Sequence, residues 1–243
     1  MSDWEKYSAK HVQLYHADSS GLVSESSGLL PKYISSFPWQ VMLDMGCGDG
    51  ILLYALEKNG WAKGKSVIAI DISKNRIEKA MTICEDFQCF VDDACNMKHV
   101  ASDSIDFVVS SMVIEHVAND EDMIREISRV LRKKGIAYIA TVFKSQRAWY
   151  FYKHEGHSVV DPTHVREYTN DNQLLDKLRM FGLEIIESYK SQAVVPILGD
   201  LVLGRIGAKP DAFVRHSLLR LVNKIRIPIL GYQSWQVIVE KKG

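Results

Sequence analysis

The sequence predicts an α/β fold built on a largely parallel sheet with helices on both faces. Short apolar runs alternate with stretches of helical period from about residue 40 to residue 142, which is the signature of strands joined by crossover helices. The first apolar run opens into LDMGCGDG at 43–50, three glycines in five positions, where a strand has to turn sharply into a helix. A chain of 243 residues, 47% hydrophobic, suits one large core, so 1–243 reads as a single main domain.

Residues 1–38 form an N-terminal cap that mixes aromatics with Ser and Gly before Pro31 and Pro38. Within it Trp4, Tyr7, His11 and Tyr15 fall in a rough helical pattern, read as packing, with closure over a ligand as the alternative. The core, 39–190, has strands expected at 40–45, 66–71, 87–92, 105–110 and 135–142 and helices at 50–59, 73–85 and 120–133. A further helix is expected from Thr169 as N-cap, carrying LLDKLRMFG to Gly182, followed by the strand LEIIESY. The final strand, SWQVIVE, lies in 233–243, and the stretch between, 191–232, is too long for an ordinary connection. It is read as a helical insertion. At 212–226 it places Val214, Leu218, Leu221, Val222 and Ile225 on one face of a helix and Arg215, His216, Arg220 and Lys224 on the other. Packing across the sheet edge, a lid over an apolar acceptor, an oligomer interface and a peripheral membrane contact are all open to such a helix. Asp200 breaks the preceding apolar run, and no stretch is long enough to span a bilayer.

Thirty basic and thirty acidic side chains cancel, so no global field draws the chain to nucleic acid. Cys47, Cys84, Cys89 and Cys95 fit no disulfide ladder, and the polar N-terminus MSDWEKYSAK lacks the apolar stretch of a signal peptide, which together predict a cytoplasmic setting. The last three cysteines are spaced C-x4-C-x5-C without a close pair, so no metal site is expected and they read as small core groups.

In an open α/β sheet, ligands bind outside the carboxyl ends of the strands. The glycine turn of Gly46, Gly48 and Gly50 sits there, and it departs from a dinucleotide fingerprint: Ile51 stands where the third glycine would be, and Asp44 would repel a pyrophosphate. The second strand ends in Asp71, where ribose hydroxyls bind, and the third in Asp92 and Asp93, either of which can accept from an adenine amine. Three acidic strand ends without a phosphate-binding feature describe a cationic adenosine ligand, S-adenosyl-L-methionine.

VMLDMGCGDG, VIAIDIS, VDDACNM, SIDFVVSSMVIEHV and ISRVLRKKGIAYIATV, in that order from Val41 to Phe143, resemble the class I S-adenosylmethionine-dependent methyltransferases. The resemblance implies a Rossmann-like seven-stranded sheet, mostly parallel with the last strand antiparallel. It further implies that Asp44 and the glycine turn, with Cys47 inside it, face the methionine end of the cofactor. Asp71 would meet the ribose, Ile72 the adenine face, Asp93 with Ala94 its exocyclic amine, and Ser110 and Ser111 the methionine moiety and transfer site. A prolyl-aromatic tetrapeptide typical of base-amino methylation is replaced by SSMV after the fourth strand, which disfavours nucleic acid.

Transfer of a methyl from a sulfonium asks the protein mainly for alignment, and a hydroxyl acceptor gains from a general base. His116, after Glu115, matches an E-H pair of that family; it reads either as a catalytic group or as one shaping the pocket. HEGHSVVDPTHVREYT, 154–169, lies over the expected transfer site, and its DPTHVREYT resembles a segment of members acting on sugars, lipid-linked glycans and other small molecules. His164 is the first candidate for base or acceptor-orienting group and His157 the second, the alternative being a loop held by hydrogen bonds. The expected reaction is methyl transfer to oxygen or nitrogen of a small-molecule, sugar or lipid-linked acceptor. A non-catalytic S-adenosylmethionine-binding module and, less favoured, a pyridine-nucleotide oxidoreductase are the alternatives.

Overall fold

The computed structural model describes residues 28–83, 85–150, 152–154, 156–196 and 226–243. The N-terminal aromatic pattern, Cys84, Glu155 and the amphipathic helix at 213–225 lie outside them.

Strand β1 (Val41–Met45) is almost wholly buried, and its neighbours β2 (Ser66–Asp71) and β4 (Ile105–Ser111) pair with it in parallel on either side. Burial on both faces follows from alternation at period two: Leu43, Met45 and Val108 point into one apolar cluster, Met42, Phe107 and Val109 into the other. The helices that precede and connect the strands cover those faces. These are α1 (Leu29–Ser36), α2 (Ile51–Lys58) after the glycine turn, and α3 (Lys74–Ala80), which leads to β3 (Gln88–Val91). On the opposite face α4 (Asp120–Val130) inserts Met123, Ile124, Ile127 and Val130, a helical spacing that makes one apolar stripe. Its start is capped by the Asn119 side chain, which accepts from the Glu121 N–H at 3.0 Å, with three acids in the first turn.

The helix gives way to β5 (Leu131–Lys144) earlier than expected, because Arg132–Gly135 is looped out of the ladder: Ile105 pairs with Leu131 but Phe107 with Ile136. A side chain at Gly135 would come within 2.9 Å of the Arg132 carbonyl and 3.0 Å of that of Ile105, so glycine is required in this bulge. A short hairpin of β6 (Tyr152–His154) and β7 (His157–Val159) then occupies the segment read as a histidine loop. Next, α5 (Asn172–Met180) starts three residues beyond Thr169, since Gln173 Oε1 accepts from the N–H groups of Thr169 (2.8 Å) and Asn170 (3.1 Å) and holds them outside the helix.

The order of the seven-stranded sheet is β3-β2-β1-β4-β5-β9-β8, with β9 (Arg226–Lys241) antiparallel to both β5 and β8 (Leu183–Pro196). The Rossmann-like arrangement with an antiparallel final strand is therefore present. The segment 191–232 differs in form at its edges: β8 and β9 continue as a two-stranded ribbon, Val194 opposite Pro228 and Pro196 opposite Arg226, so the final strand begins at Arg226 and not at 233. Among the described residues no helix is long and apolar enough to cross a membrane.

Candidate functional site

The carboxyl ends of β1, β2, β3 and β4 line up along one edge of the sheet, and the sequence-predicted residues collect there. Gly46, Gly48 and Gly50 all have left-handed backbone, with φ of 77°, 57° and 84°. Packing within the protein demands two of them. A Cβ on Gly46 would meet Val113 Cγ2 at 2.4 Å, and one on Gly50 would meet Ile83 Cδ1 at 2.3 Å and the Ala80 backbone at 3.1 Å. The N–H groups of Gly46 and Cys47 both donate to the Ile70 carbonyl, at 2.8 and 2.9 Å, which pins the turn to β2.

Asp71 completes that attachment: its carboxylate accepts from Gly48 N–H at 3.0 Å and Ser73 N–H at 2.8 Å. Burial raises its pKa, against those two N–H groups and the Arg76 guanidinium. Asp44, 5% exposed, is more strongly affected; burial first and the neighbouring Asp71 second push it up to about 7. Cys47 is buried beside both acids, and burial holds its thiol well above the usual range. Such a turn disfavours an anion and favours a cation, which would restore the charge on Asp44.

Beyond β2 and β3, Ile72 is 65% exposed and shares a cavity of about 390 Å³ with Val91, Asp92, Asp93, Asn96, Lys98 and His99. The two acids at the end of β3 separate sharply. Asp92 is buried and committed: it accepts from the N–H groups of Asp93, Lys98 and His99, each at 2.9 Å, and faces His99 Nδ1 at 3.0 Å. Burial works to raise its pKa, and these partners outweigh it and hold it below the ordinary value. Asp93 is exposed, with Oδ1 accepting from Cys95 N–H at 2.8 Å. Ala94 packs toward the core and is not on the cavity wall.

The other half of the site follows β4. Ser110 is fully buried, its Oγ without a hydrogen-bond partner among the described residues, and Ser111 is half-buried. Met112 turns the chain with φ of 57°. The next residues meet the segment 160–168 from across the site: Val165 and Arg166 donate their N–H groups to the Glu115 carbonyl (2.9 and 3.2 Å), and the Arg166 guanidinium donates to the carbonyls of Ile114 and Val117 (both 2.6 Å) and Ala118 (2.8 Å). This strap carries His164 against His116, ring centroids 4.8 Å apart.

His164 is buried, with Nδ1 3.1 Å from Glu167 Oε1. His116 Nδ1 lies 3.1 Å from Thr163 Oγ1 and 3.3 Å from the Thr163 carbonyl. Burial, then the charge of His164, lowers the His116 pKa to about 4. Glu115 is fully buried; Thr141 Oγ1 donates to its Oε2 at 3.0 Å, and burial pushes its pKa up to about 6. Glu167, which burial would raise, is held low by His164, the Val160 N–H and Lys144. His157 is exposed at the β6–β7 hairpin. Glu167 and Thr141 were missed in the sequence. A hydroxyl interrupting the apolar run IAYIATVF was the one available signal for Thr141.

Residues 43–139 match the family described as "Methyltransferase domain". The ubiquinone biosynthesis O-methyltransferase of Pelagibacter ubique is 27% identical over 164 residues, 60% of this chain and 67% of that protein. The bifunctional biotin biosynthesis protein of Cellvibrio japonicus is 28% identical over 158 residues, 62% of this chain but only 29% of that one. The chain thus spans about two thirds of the first relative and under a third of the second. In fold, it is similar to a putative methyltransferase from Bacillus halodurans (TM-score 0.63, 15% identity, 88% of this chain and 98% of that one). It is also similar to a phosphoethanolamine N-methyltransferase of Haemonchus contortus in complex with S-adenosyl-L-methionine (TM-score 0.54, 18% identity, 84% and 48%).

Proposed function

We propose, from the premise that the chain belongs to the class I S-adenosylmethionine-dependent methyltransferases, that it methylates a hydroxyl oxygen of a small-molecule acceptor presented at Glu115, His116 and His164. One observation carries the acceptor side of this reading. The strap residues 160–168 bring a buried, hydrogen-bonded imidazole to the turn after β4, beside the glycine turn through the Gly46–Val113 contact. The ubiquinone biosynthesis O-methyltransferase among the relatives favours oxygen over nitrogen.

The residues present suit S-adenosyl-L-methionine. Asp44 is a buried acid near neutrality that gains from a cation, and the cavity beyond Ile72 combines an apolar ledge with an exposed acid. The cofactor, when bound, supplies a methyl already activated on a sulfonium. In our reading Asp44 and the turn of Gly46, Cys47, Gly48 and Gly50 hold its amino-acid end, with Ser110 and Ser111 bordering it. Asp71 takes the ribose hydroxyls through lone pairs left after Gly48 and Ser73, Ile72 packs on the base, and Asp93 accepts from the base amine. Asp92, whose oxygens serve Asp93, Lys98 and His99, shapes the loop and does not touch the cofactor. His164 orients the acceptor and favours its deprotonation, steadied through Nδ1 by Glu167. His157, exposed on its hairpin, contributes to the acceptor's entrance at most.

Calorimetric titration with S-adenosylhomocysteine, with NADH as control, tests the cofactor side. Micromolar binding of the first alone is expected, and binding of NADH instead would return the turn to a nucleotide-phosphate role. In His164→Ala, turnover on an accepted hydroxyl substrate should fall about a hundredfold while S-adenosylhomocysteine still binds. Undiminished turnover would remove His164 from the reaction.

A further inference from the structure

We propose that Lys144 and Tyr232 are positioning residues: acting through the Glu167 carboxylate, they fix the orientation and the tautomer of the His164 ring. What that ring does to the acceptor rests on the reading above; how it is held does not.

Glu167 is buried and divides its two oxygens between two tasks. Oε1 faces His164 Nδ1 at 3.1 Å and accepts from the Val160 N–H at 2.8 Å. Oε2 takes the ammonium of Lys144 at 3.2 Å and the hydroxyl of Tyr232 at 3.2 Å. Tyr232 is fully buried, and burial, then Glu167, hold its phenol above the usual pKa, so it stays a donor. Burial alone would raise the Glu167 carboxyl, and His164, the Val160 N–H and Lys144 together keep it below its ordinary value. An ionised carboxylate only accepts, so the proton of a neutral His164 sits on Nδ1 and the basic lone pair on Nε2.

The sheet is what brings the two anchors to that carboxylate. Lys144 ends β5 and lies directly opposite Tyr232 on antiparallel β9, which sends both side chains to the same face. The same strand end holds the strap, since the Lys144 N–H donates to the Tyr168 carbonyl at 2.8 Å, one residue beyond Glu167. Lys144 Nζ and the Tyr232 hydroxyl also both donate to the Ser158 carbonyl of β7. A carboxylate tied to the strap alone would move with the ring it has to orient. Anchored in β5 and β9, it gives His164 a reference outside its own segment.

The test follows the His164 ring by nitrogen-15 NMR of the full chain, its signals assigned by their loss in His164→Ala. The expected wild-type ring carries its proton on Nδ1 in alkaline buffer. Lys144→Met, Tyr232→Phe and Glu167→Gln should each speed exchange of that proton with water by about tenfold or more, the loss of one charge-assisted hydrogen bond. Lys144→Met should add nothing in the Glu167→Gln background, because the path through the carboxylate is already cut. Affinity for S-adenosylhomocysteine should stay at the wild-type value throughout. A wild-type proton on Nε2 overturns the proposal, as do additive effects of Lys144→Met and Glu167→Gln. Lowered melting temperatures with an unmoved ring signal in folded Lys144→Met and Tyr232→Phe also overturn it, leaving the pair as a staple between hairpin and sheet. No acceptor is needed for any of this. Undiminished turnover in His164→Ala would therefore strike the catalytic use of the ring separately, and an unmoved ring would leave the cofactor reading intact.

Discussion

Asp44 offers the sharpest quantitative test of the cofactor side of the site. Its pKa, pushed up to about 7 by burial and by Asp71, means that the free protein holds it largely protonated in mild acid. A ligand whose ammonium needs the carboxylate must displace that proton. The apparent Kd then scales as 1 + 10^(pKa − pH), so it rises by a factor of about two at pH 7 and about elevenfold at pH 6 over its value in base, roughly 1.4 kcal/mol. Folding carries the opposite sign. Because the folded pKa lies above the ordinary carboxylate value, this group's stabilisation is complete below about 4 and is lost as the pH rises through about 7. The full swing is about 4 kcal/mol. Calorimetry with S-adenosylhomocysteine between pH 6 and 8, with thermal unfolding over the same range, reads both. Asp44→Asn should bind weakly at every pH with the slope abolished, and should gain stability relative to wild type as the pH rises. A wild-type affinity that stays flat from pH 8 to pH 6 in folded protein would refute the ionic role of Asp44.

Asp71→Ala should weaken S-adenosylhomocysteine binding by at least about tenfold, the loss expected for a charge-assisted hydrogen-bonding partner. Asp71→Asn, which keeps one acceptor for the Gly48 or Ser73 N–H, separates turn support from ligand contact, and wild-type affinity there would deny that the charge matters. Gly46→Ala places a Cβ 2.4 Å from Val113 Cγ2 at φ of 77°; left-handed strain alone costs about 1–2 kcal/mol, so Tm should drop by about 3 °C or more. An unchanged melting temperature would mean that Val113 moves freely. Arg166→Ala removes three hydrogen bonds to the carbonyls of Ile114, Val117 and Ala118 and should cost about 2 kcal/mol in urea unfolding. If the strap serves the acceptor side only, turnover falls while S-adenosylhomocysteine affinity persists, and the reverse pattern would count against that division.

How much was legible follows from the range of the forces involved. Strand positions were readable because runs such as VMLDM and IDFVVSS are buried on both faces and carry continuous apolar residues. The boundaries that shifted did so for reasons outside local pattern. Gln173 reaches back to Thr169 and Asn170 and delays α5, and the loop-out at Arg132–Gly135 is dictated by the neighbouring strand. The acidic strand ends looked alike in sequence, yet Asp92 turned out to be consumed by three backbone N–H groups while Asp93 stayed exposed.

The sequence by itself determined the alternating α/β architecture, the glycine turn beside Asp44, and the resemblance that pointed to S-adenosyl-L-methionine. Each of these rests on residues close together in the chain, where periodicity, φ preference and motif spacing act directly. Only the tertiary structure decided which side chains became partners. The Arg166 strap brings His164 onto His116 and buries Glu115 between Thr141 and both rings, and the proximity of Asp71 lifts the pKa of Asp44. Burial and electrostatic coupling between groups distant in sequence depend on the closed sheet, and they exist only once it has formed.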